Sequence, residues 1–183
     1  MKLKMATAVI VGLTFAGSLF ATQAKADLLV EPFAGYEFGN IKQGNSSDGL
    51  SGANYGARLG YESLGFMIGG EYALGALRGS PSGGSNYNVS TTDVGIFAGY
   101  NFPVLLRVYG TYYPLSTATD DNIPGGDLNG TGYRVGIGFT PLPFITVAVE
   151  VVDRDYTKQG SSSLTHNVKT NSTLITVTLP FTL

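Results

Sequence analysis

The chain has 183 residues, no cysteine, and 13 acidic against 11 basic side chains. The acidic balance argues against a nucleic-acid partner, which would want a basic face, and the lack of Cys excludes a disulfide framework and a thiolate metal site. Charged residues are only 13% of the chain, against ~25% in ordinary soluble domains, while Gly, Tyr and Phe are abundant at 26, 11 and 10.

The first segment has the layout of an export signal. Lys2 and Lys4 precede an almost wholly apolar stretch over 5–20, and Ala24-Lys25-Ala26 offers small residues on both sides of one position. This predicts a cleavable signal peptide over 1–26 and a single domain over 27–183. The apolar stretch is short for a membrane helix, which needs ~20 residues, and a cleavage site follows it directly.

From there the chain alternates with period two in eight runs. The first, over 29–39, sets Val30, Pro32, Ala34, Tyr36 and Phe38 on one face and Glu31, Phe33, Gly35 and Glu37 on the other. The second sets Tyr55, Ala57, Leu59 and Tyr61 against Arg58 and Glu62. The third, over 66–75, sets Phe66, Ile68 and Tyr72 against Met67, Glu71 and Ala73. The fourth, over 93–101, sets Val94, Ile96 and Tyr100 against Asp93, Phe97 and Asn101. The fifth, over 104–113, sets Val104, Leu106, Val108 and Tyr112 against Leu105, Arg107, Tyr109, Thr111 and Tyr113. The sixth, over 133–140, sets Tyr133, Val135, Ile137 and Phe139 against Arg134 and small residues. The seventh, over 145–154, sets Ile145, Val147, Val149 and Val151 against Thr146, Ala148, Glu150 and Arg154. The eighth, over 173–183, sets Ile175, Val177, Leu179, Phe181 and Leu183 against Leu174, Thr176, Thr178 and Thr182.

Connections alternate between long polar segments (40–52, 78–88, 115–130, 157–171) and tight turns near 64–65, 102–103 and 141–143. Long loops at one end and short turns at the other predict an all-β, eight-stranded antiparallel up-and-down transmembrane barrel, with its long loops outside the cell. A soluble barrel has the same period with its apolar face inward. The second face here lacks Lys altogether, since Lys42, Lys158 and Lys169 all fall in the long connections, whereas a soluble exterior would carry Lys and Glu widely. Tyr36 and Phe38 at one rim, with Tyr61, Tyr100 and Phe139 at the other, read as aromatic girdles. Closure requires the eighth strand to pair with the first. Pro32 and Pro180 fall on those two strands and cannot donate there, which predicts an interrupted seam.

The inward face collects Glu31, Glu37, Glu62, Glu71, Asp93 and Glu150 with Arg58, Arg107, Arg134 and Arg154. Buried charges must be paired or hydrated. A two-residue turn at 64–65 places Arg58 directly opposite Glu71. A three-residue loop at 141–143 would place Arg134 directly opposite Glu150. The candidate site is therefore an interior ion network of Arg58, Glu71, Arg134, Glu150, Arg107, Glu31 and Glu62, read as a polar plug in a barrel about wide enough for side chains to fill. The rival reading is a gate or a narrow ion path. His166 with Ser161, Ser162, Ser163 and Ser172, the acids Asp120, Asp121 and Asp127, and Gly130-Thr131-Gly132 read as loop or strand composition rather than catalytic, metal or phosphate sites. No catalytic residue, metal or cofactor is expected, and the chain is not expected to be an enzyme.

Val30-Glu31-Pro32-Phe33-Ala34-Gly35-Tyr36, Gly60-Tyr61-Glu62, Gly99-Tyr100-Asn101 and the terminal Leu179-Pro180-Phe181-Thr182-Leu183 carry a resemblance over nearly all of 27–183. The chain resembles the small outer-membrane barrel families: the OmpA transmembrane domain, OmpX and the opacity-type proteins. Many members end in Phe, whereas this chain ends in Leu. The resemblance implies the cell outer membrane of a Gram-negative bacterium, reached through the periplasm. It implies surrounding lipids and the insertion machinery as partners, a surface ligand at the long loops, and a monomer. The functional expectation is a structural or surface-interaction protein with a largely closed polar interior; the alternative is a narrow porin-like channel or a carrier of small hydrophobic molecules.

Overall fold

A computed structural model describes residues 26–44, 46–81, 84–120, 127–142 and 144–183. The expected signal segment over 1–25 lies outside the described residues. Among them nine strands form one sheet: β1 (Asp27–Gln43), β2 (Ser46–Ser63), β3 (Phe66–Ser80), β4 (Tyr87–Phe102), β5 (Leu106–Asp120), β6 (Leu128–Leu142), β7 (Ile145–Gln159), β8 (Ser162–Thr178) and β9 (Phe181–Thr182). From β1 to β8 each strand pairs antiparallel with its sequence neighbour, and β1 pairs with both β2 and β8, so the sheet closes on itself. β9 continues β8 after a break at Leu179-Pro180 and pairs with Leu29 and Val30. The result is an eight-stranded up-and-down barrel. Closure removes the exposed edge that lipid would not tolerate.

The seam is interrupted at the two prolines. On the β8–β9 side of β1, ladder pairing is missing at Glu31 and Pro32, where only the Leu179 N–H reaches the Pro32 carbonyl, at 3.0 Å. The register is the same on both sides of the gap. Leu28 and Leu183 then exchange backbone hydrogen bonds at 3.0 and 2.9 Å, closing the barrel at its inner end.

Alternation fixes the faces. Leu59, Tyr61, Ile68, Ile96, Val135, Ile137, Val149 and Ile175 are exposed on the outside, while Glu31, Arg58, Glu71, Arg107, Arg134 and Glu150 are buried inside. Outward tyrosines (Tyr36, Tyr55, Tyr72, Tyr112, Tyr133) ring one level of the wall. A second ring toward the inner end includes Tyr61, Phe66 and Phe139, and Tyr100 packs between Phe66 and Phe102 at 4.6 and 4.8 Å between ring centres. An apolar band between two aromatic rings is the surface a bilayer requires.

Three expectations are corrected. The segments over 40–52, 78–88, 115–130 and 157–171 are not simply loops. The strands run into all four: β1 continues to Gln43 and β2 begins at Ser46, and β7 turns into β8 at Gly160-Ser161. The physical reason is a second core. Leu50, Leu77, Val89, Ala118, Leu128, Tyr156 and Val168 face inward and pack together, with Ile41, Tyr87 and Leu164 against them. Their outward neighbours are polar: Lys42, Asn88, Ser90, Thr119, Thr157, Asn167, Lys169 and Asn171 are exposed. Polarity therefore inverts along the barrel, from apolar-outside in the band to apolar-inside beyond the tyrosine ring.

The second correction is register. Leu142 pairs with Ile145, and a bulge between Phe139 and Leu142 shifts the pairing so that Arg134 faces Val152 and Glu150 faces Gly136. A bulge adds residues to one strand without a partner, which slides every later pair. The two-residue turn at Leu64-Gly65 has φ of 51° and 83°, the geometry that suits a tight hairpin. It leaves Ser63 opposite Phe66 and Arg58 opposite Glu71. The third correction concerns the start of the fifth strand. Residues 103–105 form a turn with Leu105 at φ 64°, so β5 begins at Leu106 and Leu105 is exposed rather than inward.

The strand extensions predict protease resistance. Lys42, Arg78 and Lys169 lie within paired strands, and cleavage needs a locally unpaired segment. In the bilayer-embedded protein, mass mapping after trypsin should find these three bonds intact. Cleavage there as fast as in the unfolded chain would mean that the segments are loops after all.

Candidate functional site

The interior is a polar column assembled from inward positions on every long strand. Its hub is Arg58 on β2. Arg58 Nη1 lies 2.7 Å from Glu31 Oε1 on β1, Nε 2.7 Å from Glu71 Oε2 on β3, and Nη2 3.1 Å from Glu150 Oε1 on β7. One guanidinium thus ties the two neighbouring strands and a strand across the lumen. Arginine suits this because its planar fork presents several donors in fixed directions.

Arg134 on β6 is the second node. Its Nη1 sits 3.0 Å from Glu71 Oε1 and 3.4 Å from Glu150 Oε2. The predicted Arg134–Glu150 partnership is therefore a longer diagonal contact, not a directly opposed pair. Phe33 lies between the two hubs, its ring centre 4.9 Å from Arg58 Cζ and 5.1 Å from Arg134 Cζ. Tyr109 faces Arg58 at 4.3 Å. Aromatic faces attract guanidinium groups and here also separate two like charges.

The column continues both ways. Toward the outer end, Arg134 Nη2 donates to Asn54 Oδ1 at 3.2 Å, and Asn54 Nδ2 donates to Glu37 Oε2 at 2.8 Å. Arg154 Nη1 meets Glu37 Oε1 at 2.6 Å, and its Nε donates to Asp93 Oδ2 at 2.9 Å. Ser172 donates to Glu37 at 2.6 Å and Ser116 to Asp93 at 2.5 Å. Toward the inner end, Arg107 pairs with Glu31 and donates from Nε to Asn101 Oδ1 at 2.6 Å; Asn101 Nδ2 then donates to Glu62 Oε1 at 2.8 Å. Tyr109 and Tyr113 donate to Glu150 and Glu71.

Of the seven residues expected to form the network, six are buried and in ion pairs. Glu62 is the exception: it is half-buried near the inner rim and accepts from Asn101, with no ion pair to Arg. Arg154, Glu37 and Asp93 belong to the column, as their inward parity indicated. Asn54 and Ser116 fall outside the strands that the sequence assigns, and Ser172, which the sequence offers only as a neighbour of His166, instead donates to Glu37. Tyr109, Thr111 and Tyr113 had the right parity but no charge to draw attention. Backbone glycines make the room: a Cβ on Gly136 would lie 2.8 Å from the Tyr109 ring and 2.9 Å from Glu150 Cγ.

Chemically the arrangement braces and fills. Each of the four inward guanidiniums is held by carboxylates, and alongside the inner part of the column Leu29, Met67 and Phe97 pack together. His166 is exposed on β8, and Asp121 lies outside the described residues. Among the described residues no group of three or more His, Cys, Asp or Glu is placed to hold a metal ion.

Stability should follow position in the column. Glu71→Ala leaves two guanidiniums without a shared carboxylate and should cost about 3–5 kcal/mol. Glu62→Ala removes one hydrogen bond at the rim and should cost about 1 kcal/mol or less. Urea unfolding in lipid vesicles measures both; equal costs would contradict the assignment of Glu71 to the buried hub.

Comparison with known proteins agrees with the architecture. Neisserial surface protein A superposes with a TM-score of 0.56 at 16% identity, covering 85% of this chain and 99% of that one. Ail, the attachment invasion locus protein of Yersinia pestis, solved with the heparin analogue sucrose octasulfate, gives 0.58 at 15% identity, covering 85% and 99%. No family model matches the sequence. No curated protein matches it either. At these identities the likeness concerns the fold: the chain is a closed, eight-stranded, up-and-down barrel of the small outer-membrane type.

Proposed function

We propose that the chain resides in the outer membrane as a monomeric, closed barrel and acts as a structural or surface-interaction protein rather than as an enzyme or an open pore. The observation that carries this reading is the polar column. Arg58 reaches Glu31, Glu71 and Glu150 at once, so the lumen at that level is crossed by bonded side chains. The cavities at the outer and inner ends share no lining residue. The inward charges are engaged with each other, which argues against a role for them in catalysis.

The interacting part, on this reading, is the outer section. Its strands carry polar side chains outward, including the surface pair Lys169–Asp155 at 3.3 Å with Asn167 and Asn171 beside it. Paired strands hold such groups in fixed positions, which lowers the ordering cost of binding compared with a mobile loop. The lipid partners are those around the apolar band, and the terminal strand with Phe181 and Leu183 is the segment offered to the insertion machinery. Ail, named for attachment and invasion, is built on the same fold, so the architecture is compatible with such a role.

Planar-bilayer recording tests closure. The reconstituted protein should show no resolvable channel steps, and Arg58→Ala and Glu71→Ala should show none either, because Tyr109, Tyr113 and Phe33 still fill the section. Steady porin-sized currents from the unaltered chain would overturn the closed reading. Discrete openings in either variant alone would convert the plug into a gate.

A further inference from the structure

The inverted section encloses space that the closed column does not explain. At the outer mouth lies a cavity of about 330 Å³. Its walls are Ile41, Val89, Ala118, Leu128 and Val168, drawn from β1, β4, β5, β6 and β8. Most of these side chains belong to the buried apolar cluster, whose floor includes Tyr156, next to the Arg154–Glu37–Asp93 layer. Among the described residues the cup is therefore blind, opening at the outer end and closed inward by bonded side chains. Ligand sites in proteins are typically apolar concavities of ~300–1,000 Å³ with a few polar groups.

The rim has a sign. Asp48 lines the mouth and accepts from the Tyr87 hydroxyl at 3.4 Å, and Gln43, Ser46, Thr119 and Gln159 supply uncharged polar groups. Asp127 lies beside it, accepting from Thr119 at 2.8 Å. Among the described residues no Lys or Arg lines it. Beneath the cup, Arg154 faces the two carboxylates of Glu37 and Asp93. Asp48 at the rim and the Arg154–Glu37–Asp93 layer beneath favour a cationic end group over an anionic one, while Lys42, Lys158 and Lys169, next to lining residues in the chain, are exposed and not part of the lining.

We infer that the outer mouth is a binding site for a small cationic amphiphile: an apolar ring or short alkyl group seated among Val89, Ala118, Leu128 and Val168, with an amine at the Asp48 rim. The site adds to the surface role proposed above and does not depend on it, because a blind cup can be filled whether or not the outer strands meet another surface. It also requires no passage through the barrel.

Benzylamine is a suitable probe, with benzyl alcohol and benzoate as neutral and anionic counterparts of the same ring. Methyl NMR of the full chain in lipid nanodiscs should show saturable shifts at Val89, Ala118, Leu128 and Val168 with benzylamine. Lipid-facing Val147 and Val149 should move only linearly and equally for benzylamine and benzyl alcohol. Benzoate should bind roughly tenfold more weakly, the scale of one nearby charge partly screened by water. Ala118→Phe should abolish the saturable shifts. Asp48→Asn, at the rim and outside the apolar cluster, provides a variant that does not burden folding; it should narrow the gap between benzylamine and benzoate severalfold. Saturable shifts absent from the cup, shifts that persist unchanged in Ala118→Phe, or an unaltered amine preference in Asp48→Asn would each overturn the assignment.

Discussion

Arg58 carries a positive charge into the middle of a barrel whose outside is apolar, and the rest of the interior is arranged around that fact. An unpaired guanidinium at that depth would cost several kcal/mol. Glu31, Glu71 and Glu150 surround it from three different strands. Arg107, Arg134, Tyr109 and Tyr113 make further contacts to those carboxylates. Burial of one charge thus propagates into a column that runs from Glu62 near the inner rim to Asp93 below the outer cup. Glycines opposite the long side chains follow from the same demand, since a wall of full side chains would leave no room for the arginines.

The column also accounts for where the barrel changes character. It occupies the section whose outside is apolar, because only there is a polar interior forced by the alternation. Beyond the ring formed by Tyr36, Tyr55, Tyr72, Tyr112 and Tyr133, the outside meets water and the same alternation serves the opposite purpose. Leu50, Leu77, Val89 and Val168 turn inward and gain from leaving water, as in any soluble β-barrel. One continuous sheet thus contains two barrels of opposite polarity stacked on a common axis, and the boundary falls at Arg154 and Tyr156, adjacent inward positions on β7.

Much of this was legible in the chain. Strand parity placed Glu31, Arg58, Glu71, Arg107, Arg134, Glu150 and Arg154 inside, because period-two alternation against an apolar face leaves no freedom about which side a residue takes. The Arg58–Glu71 pair was readable because a two-residue turn sets its register. Arg134–Glu150 was misplaced by two residues because a bulge after Phe139 carries no signature that distinguishes it from a longer loop. The outer section was hidden by its composition: Gly, Ser, Asn and Asp outnumber the apolar residues there, although Ile41, Leu50, Val89 and Val168 already stood at strand parity. Contacts across the lumen, such as Arg58 with Glu150, were beyond the sequence altogether. They depend on the diameter and stagger of the closed barrel, not on any local pattern.

The central claim is that Arg58 and Glu150, distant in sequence and on facing walls, are energetically one unit. A double-mutant cycle with Arg58→Met and Glu150→Gln, followed by urea unfolding in vesicles, measures that directly. The account predicts a coupling of about 1–3 kcal/mol, in the range found for residues sharing one buried network. Additive costs, with coupling below about 0.5 kcal/mol, would contradict it and leave the column as neighbouring pairs with no cross-barrel brace.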